Sequence, residues 1–462
     1  MVVGLALLSC DDLLDTEPRQ SVSVSGALES PEVLTSLLIN AYNDFQGAGR
    51  LGSAWIVHPE VMADNFVFND NRGTYRGQFQ NVQGTHMTSW ANYGTLLPLN
   101  VVIAGADAVG EDIVGEAHAL RALSYFYLMN VYAYMPTAIV NGQDRGGVPL
   151  VTDAVLSLQD ITLPARAPIN EVYDFMLADV DRAIQLLDNS GSRARFSQAA
   201  AQALGSRIAL YAGEWQRAID YAQAAVASGV GTFSSRASYA SDWTSATVNP
   251  EAIWYLEYQN NESQGPNTSL QSIYLSGGTD RSPDYRGNGD FTPTAEVLGL
   301  IQAGDVRADI LIPVAVNGLN NPQGTLELHK YTGNTGLDNT DNIPIFRVSE
   351  MYLNIAEAAA RSGQTALAQS TLEILKQRSV DPAYTATNTG QALIDEIMTE
   401  RRLELLGEGH RFFDLKRNGI DVDKTATDLT GEVIEFDDLR ILAPLPQADL
   451  NLNPNLENNF GY

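Results

Sequence analysis

The chain has 462 residues, 44% hydrophobic and 18% charged, which is enough material for a large core and an ordinary globular composition. The charge balance is less ordinary: 56 Asp and Glu against 28 Lys and Arg leave a net −28. A surface this acidic repels phosphate backbones and anionic membranes, which excludes nucleic acid as a natural partner and favours neutral or cationic ligands.

At the start of the chain, Val2–Ser9 is a short apolar run before the single cysteine, Cys10, and Asp11–Asp12 follow it. One cysteine cannot make an intramolecular disulfide. Leu7-Leu8-Ser9-Cys10 has the form of a bacterial lipobox, in which Cys10 is lipidated and becomes the mature N-terminus. The run is too short to span a bilayer and lacks the basic region of a signal peptide, so residues 1–10 read as the truncated end of one. Every later apolar stretch is interrupted by polar residues. The chain therefore reads as anchored to a membrane, not spanning it.

Residues 11–462 read as one mostly α domain. Its helical hairpins fall mainly in 96–228 and 343–417, interrupted by irregular, loop-rich insertions at about 47–93 and 231–342, with little β. In Leu120–Tyr134, apolar residues recur at 120, 123, 127, 131 and 134 and a second face follows behind them, which predicts a helix buried nearly all round and stopped by Pro136. Glu171–Leu187 predicts an amphipathic helix capped by Asn170. Ser197–Ala212 and Glu214–Ser228 form a helix pair hinged at Gly213. Val348–Ser362 and Gln364–Arg378 repeat it around Gly363. Tyr211, Gly213, Trp215, Ala218, Tyr221 and Ala225 follow the tetratricopeptide pattern, in which small residues let antiparallel helices approach closely.

The insertions are rich in Gly, Asn, Asp and aromatics, with short strand-like pieces at Ile253–Tyr258 and Leu326–Tyr331. Long irregular stretches inside a compact protein carry function. Aromatic and polar residues cluster at Phe66, Phe68, Asn69, Asp70, Arg72, Tyr75 and Arg76, and again at Tyr274, Asp280, Arg281, Tyr285, Arg286 and Asn288. Both clusters have what a sugar ring needs: aromatic faces and hydroxyl partners. The competing reading turns Phe66 and Phe68 alternately into a small core. Trp90, Trp215 and Trp254 lie in regular segments and read as core.

Enzyme signatures are missing. The five histidines have no metal-ligand spacing, and no Gly-x-Ser-x-Gly elbow occurs. Gly47-Ala48-Gly49-Arg50-Leu51-Gly52 matches a dinucleotide fingerprint but follows a helical pattern, which makes it a turn. Asp338-Asn339-Thr340-Asp341 offers oxygens to calcium without a recognised loop pattern, so no cofactor is assigned. No particular carboxylate pair among the acidic residues points to glycoside hydrolysis.

In the C-terminal third, Glu400-Arg401-Arg402-Leu403-Glu404-Leu405 and Glu408-Gly409-His410-Arg411-Phe412-Phe413-Asp414-Leu415-Lys416-Arg417 resemble the signature of SusD/RagB nutrient-uptake proteins. Matches continue at Glu116-Ala117, Leu120-Arg121-Ala122, Gly147-Val148-Pro149-Leu150, Arg347-Val348-Ser349-Glu350, Ala356-Glu357-Ala358 and the closing Leu445-Pro446-Gln447, Asn453-Pro454-Asn455-Leu456 and Gly461-Tyr462, so the resemblance covers the chain. Read physically, these motifs build the fold. Arg401 and Glu404 are i,i+3 partners on a helix ended by Gly407 or Gly409, and His410, Arg411 and Asp414 serve structure and not catalysis. The resemblance implies a non-enzymatic lid, lipid-anchored at Cys10 on the outer membrane and facing outwards. It would capture oligosaccharides or peptides and pass them to a SusC-like TonB-dependent barrel. A tetratricopeptide interaction scaffold and a secreted glycoside hydrolase are the alternatives.

Overall fold

The computed structural model describes residues 24–69, 73–278, 282–314, 321–427 and 431–462. Cys10 and the lipobox lie outside them. An array of helices carries the molecule: α1 (Pro31–Gln46), α2 (Asn92–Ala104), α3 (Glu111–Tyr132), α4 (Ile169–Leu186), α5 (Gln198–Ala212), α6 (Trp215–Ala227), α7 (Val348–Arg361), α8 (Thr365–Ser379), α9 (Gly390–Glu404) and α10 (Arg411–Arg417). From α1 to α8 each helix packs on the next, and α9 lies against α7. The decisive contact is α6 on α7, because it joins the two predicted hairpins directly and expels the intervening insertion from the array. Arg207 of α5 fastens this junction, donating to the Glu350 carboxylate of α7 at 2.6 and 2.7 Å.

The hairpins share one cap. Gly213 and Gly363 both sit at φ 78°, a left-handed conformation that costs glycine nothing. There the Glu214 and Gln364 amides reach back to Ala209 O (2.9 Å) and Ala359 O (2.8 Å), closing the last turn of α5 and α7. Ser197 caps α5 through Ala200 N. α3 buries almost every side chain from Val114 onwards, as its double apolar stripe predicts, and ends before Pro136. Its two buried charges are neutralised, Arg121 by Asp179 of α4 at 2.7 Å and Glu116 by Arg195 at 2.6 Å.

Outside the main helical blocks, a short helix at Val24–Glu29 packs on α1. Two expectations are corrected. α4 starts after Pro168 with no side-chain cap, leaving Asn170 exposed inside the first turn. Arg401 and Glu404 do not pair: Arg401 takes Asp414 at 2.8 Å, whereas Glu404 takes Arg347 at 2.8 Å. Gly407 and Gly409 do follow the end of α9, both at positive φ.

The described strands are short and pair antiparallel in twos: β1 (Phe66–Phe68) with β3 (Phe291–Pro293), β2 (Ala252–Leu256) with β6 (Ile343–Arg347), β4 (Leu311–Pro313) with β5 (Leu326–Leu328), and β7 (Val422–Asp423) with β8 (Val433–Ile434). Residues 47–53 form the turn predicted for the glycine run, between α1 and a helix at Ala54–Val61. That helix escapes periodicity analysis because it is buried on nearly all sides. No helix among the described residues is long and apolar enough to cross a membrane.

Candidate functional site: a platform formed by the two insertions

β1 belongs to the first insertion and β3 to the second, so their pairing draws the two aromatic–polar clusters together. The register sets Phe66 opposite Pro293 and Phe68 opposite Phe291. Beyond the strand ends, Asn69 donates its backbone N–H to Asp290 O (2.9 Å) and its side-chain amide to Gly289 O (2.7 Å). Asn288 is tied down too, its amide bonding Ser272 Oγ at 2.6 Å.

Strand alternation decides which aromatics are available. Phe66 and Phe68 point inwards, with Phe68 between Phe79 (5.6 Å) and Phe291 (5.4 Å) and Phe66 against Tyr274 (5.5 Å). Tyr274 is fully buried and stacked on Tyr331. As ligand contacts, Phe66, Phe68 and Tyr274 are therefore corrected: these rings are core. Tyr285 is nearly buried, its hydroxyl bonded to Asn339 Oδ1 at 2.9 Å. Tyr75 is half-buried, and Arg76 and Arg286 are exposed. Asp70, Arg72, Asp280 and Arg281 lie outside the described residues.

Tyr75 stands out. It has φ 66°, a left-handed conformation that costs a non-glycine residue about 1–3 kcal/mol. Its ring is set between His58 (5.7 Å) and Phe291 (5.8 Å), at the seam of the two insertions.

The C-terminal signature holds this platform in place. Arg402 bridges the insertions, bonding Asn65 Oδ1 (2.8 Å) in the first and Glu296 (2.6 Å) in the second. Arg411 clasps Asp64 at 2.7 and 2.8 Å. The buried Glu60 carboxylate accepts the Gly409 and His410 N–H groups at 2.9 and 3.0 Å. Burial pushes its pKa up, against the pull of those bonds. From outside the signature, the Lys424 ammonium bonds Val61 O, Phe79 O and Asn81 Oδ1, and its burial lowers its pKa to about 7. His410, Arg411 and Asp414 thus serve as architecture. Behind them Arg307, Lys330, Arg347 and Arg378 interlock with Glu251, Asp305, Glu400, Glu404 and Glu408, all shut off from solvent.

The Asp338–Asp341 loop is organised from within. Asp341 Oδ1 accepts the N–H groups of Thr332, Gly333 and Asn334 at 3.1, 2.8 and 2.9 Å. Among the described residues no group of three or more His, Cys, Asp or Glu is placed to hold a metal ion. Of the tryptophans read as core, Trp254 is fully buried, while Trp90 and Trp215 are half-exposed.

The array, the looped-out insertions and the signature that braces them can be set beside known proteins. Residues 320–462 match the SusD family model, and residues 12–210 match a model described as starch-binding and associating with the outer membrane. The chain belongs to the SusD/RagB family. Among its SusD-like relatives, SusD-like protein P38 of Formosa agariphila is 25% identical, the alignment taking in 100% of this chain and 98% of that one. The starch-binding protein SusD of Bacteroides thetaiotaomicron is 34% identical over 26% of this chain and 22% of its own. The crystal structure of a SusD superfamily protein from Bacteroides thetaiotaomicron superposes with a TM-score of 0.82 at 24% identity, over 93% of this chain and 99% of that one. A putative sugar-binding protein from Bacteroides vulgatus gives 0.79 at 24%, over 93% and 98%. The second of these family models thus describes proteins that bind carbohydrate in association with the outer membrane.

Proposed function

We propose that this SusD-like chain is a surface-exposed lipoprotein, anchored through Cys10, that captures oligosaccharides and delivers them as a lid to a SusC-like TonB-dependent barrel. The observation that carries this reading is the joining of both insertions through β1 and β3, which brings the strained, half-exposed Tyr75 of the first against Phe291 of the second. An aromatic face, with exposed guanidinium donors at Arg76 and Arg286 on the same two insertions, suits a sugar ring and its hydroxyls. The names of the relatives, a starch-binding protein and a putative sugar-binding protein, point the same way. Peptides are the second cargo class, and Asp70, Arg72, Asp280 and Arg281 are kept as candidate contacts from the sequence.

Calorimetry against a panel of neutral oligosaccharides tests capture: one member binds wild type, and Tyr75→Ala and Arg286→Ala each weaken it at least tenfold. Equal affinity in both variants removes the platform from the reading. Detergent extraction of the full-length lipoprotein tests delivery, with co-purification of a large TonB-dependent barrel expected. Its absence under conditions that keep membrane complexes intact refutes the lid.

A further inference from the structure

A second surface shares none of the platform's candidate contact residues, although its Thr88, Trp90 and Ala91 belong to the end of the first insertion. Thr88, Trp90, Ala91, Tyr132, Pro444–Gln447, Asn458 and Tyr462 line an open cleft of about 700 Å3. Not one of these residues is charged, in a chain of net charge −28. Its wall is rigid. Trp90 stands edge-on to Tyr132 (5.1 Å, 88°), and the Tyr132 hydroxyl accepts the N–H groups of both Ser89 and Trp90 at 3.3 and 3.2 Å. The opposite wall is fixed as firmly: the Tyr462 hydroxyl bonds Leu442 O at 3.1 Å, and Asn458 Oδ1 accepts Leu445 N at 2.8 Å.

The Trp55 and Trp254 indole N–H groups both donate to backbone carbonyls, but the Trp90 indole N–H has no acceptor among the described residues. Trp90 is half-exposed and lines the cleft, so it brings an aromatic ring and an N–H donor to the wall. Thr88 and Gln447 at the exposed rim, with the Asn458 amide, add hydroxyl and amide partners. A neutral amphipathic ring with hydroxyls on its edge meets all of this, whereas a charged ligand meets no charged side chain in the lining.

We infer that the Trp90 cleft is a second carbohydrate site that takes a neutral pyranose unit of an oligosaccharide, in addition to the insertion platform. The inference rests on carbohydrate being the cargo. A Pro-rich peptide is the other occupant that an aromatic groove admits, and the test separates them. The chain has five tryptophans, so indole ¹⁵N–¹H spectra of the full chain resolve few signals, and Trp90→Phe assigns the one of interest. Maltoheptaose, cellohexaose, xylohexaose, mannohexaose and laminarihexaose are titrated in turn, with decaproline as the competing probe.

At least one oligosaccharide is expected to shift the Trp90 indole signal, and to keep doing so in Tyr75→Ala/Arg286→Ala, where platform binding is lost. Calorimetric stoichiometry should fall from two to one in Trp90→Ala. If an oligosaccharide binds wild type without moving the Trp90 signal, the second site is refuted and the platform stands. A response to decaproline alone also refutes it. If no oligosaccharide binds wild type anywhere, the proposed cargo and this inference fall together.

Discussion

Replacing Glu404 by Gln tests whether the buried charge network is what fixes the frame around the platform. Glu404 has no exposed side-chain surface and lies 2.8 Å from Arg347, 2.8 Å from Arg378 and 3.7 Å from Arg307. Burial alone would raise its pKa, but Arg378, Arg347 and Arg307 outweigh that effect and hold the carboxyl well below the usual carboxylate range. Removing one partner of a buried pair costs about 3–5 kcal/mol, because the charge left behind stays desolvated. Here Arg347 and Arg378 keep Glu251, and Arg307 keeps Asp305 and Glu400, so the lower end, about 3 kcal/mol, applies. With an unfolding entropy of about 2 cal/mol/K per residue, a chain of this length loses roughly 3 °C of melting midpoint. Differential scanning calorimetry at pH 7 reads this directly, with Glu457→Gln as the control because its side chain is 72% exposed. If Glu404→Gln melts within 1 °C of that control, the network does not carry the load assigned to it, and the C-terminal signature needs another explanation.

Four further outcomes follow from named residues. Glu357 is fully buried against Arg417 and Arg361, which overcome its desolvation and lower its pKa to about 2. Its contribution is present above the unfolded carboxylate pKa and is lost as pH falls towards 2, so the acid limb of a melting-midpoint profile should flatten in Glu357→Gln. Lys416 is buried with its ammonium on Asn130 O (2.7 Å), and burial lowers its pKa to about 7. The unfolded chain then binds more protons between pH 7 and 10. Lys416 should raise stability across that window by up to about 1.4 kcal/mol per pH unit, so urea titrations of Lys416→Met should show a slope smaller by that amount, with the share of Lys424 remaining. Tyr75→Gly relieves the left-handed strain while removing the ring, so its melting midpoint should stay within about 2 °C of wild type as oligosaccharide affinity collapses. Excess EDTA should leave melting and affinity unchanged, because Asp341 Oδ1 is already satisfied by three backbone N–H groups; a fall in either would assign the Asp338–Asp341 loop an ion.

How legible the fold was depended on whether its determinants were local. The α3 stripe and the Gly213 and Gly363 hinges are short-range features, and each could be read from spacing alone. Ala54–Val61 was missed because burial on nearly all sides erases amphipathic period. Arg401 and Glu404 were mispaired because i,i+3 proximity is only one option for a charged side chain. At the protein centre both found partners far along the chain, in Asp414 and Arg347. The candidate site shows the same division. Composition marked both insertions as unusual, but the β1–β3 register turned Phe66 and Phe68 inwards and left Tyr75 at the surface. No sequence pattern linked Trp90 to Pro444–Gln447 and Tyr462, since that cleft exists only once the C-terminus returns to α3.

The division of labour between signature and insertions explains why family is readable while cargo is not. Arg402, Arg411 and the Gly409–His410 amides act on Asn65, Asp64 and Glu60, just before β1 in the first insertion, and Arg402 reaches Glu296, just after β3 in the second. Each contact braces a residue beside the β1–β3 pair, which serves as the shared base of the insertions. Substituting a base residue strands a buried charge and costs several kcal/mol, whereas an exposed Arg76 or Arg286 can change for a few tenths. A scaffold built this way keeps its signature under stability constraints and leaves the tips free to vary with the ligand. On the proposed reading, ligand class is set by the surroundings of Tyr75, Arg286 and Trp90, and grafting another family member's insertions onto this frame should transfer specificity without loss of fold.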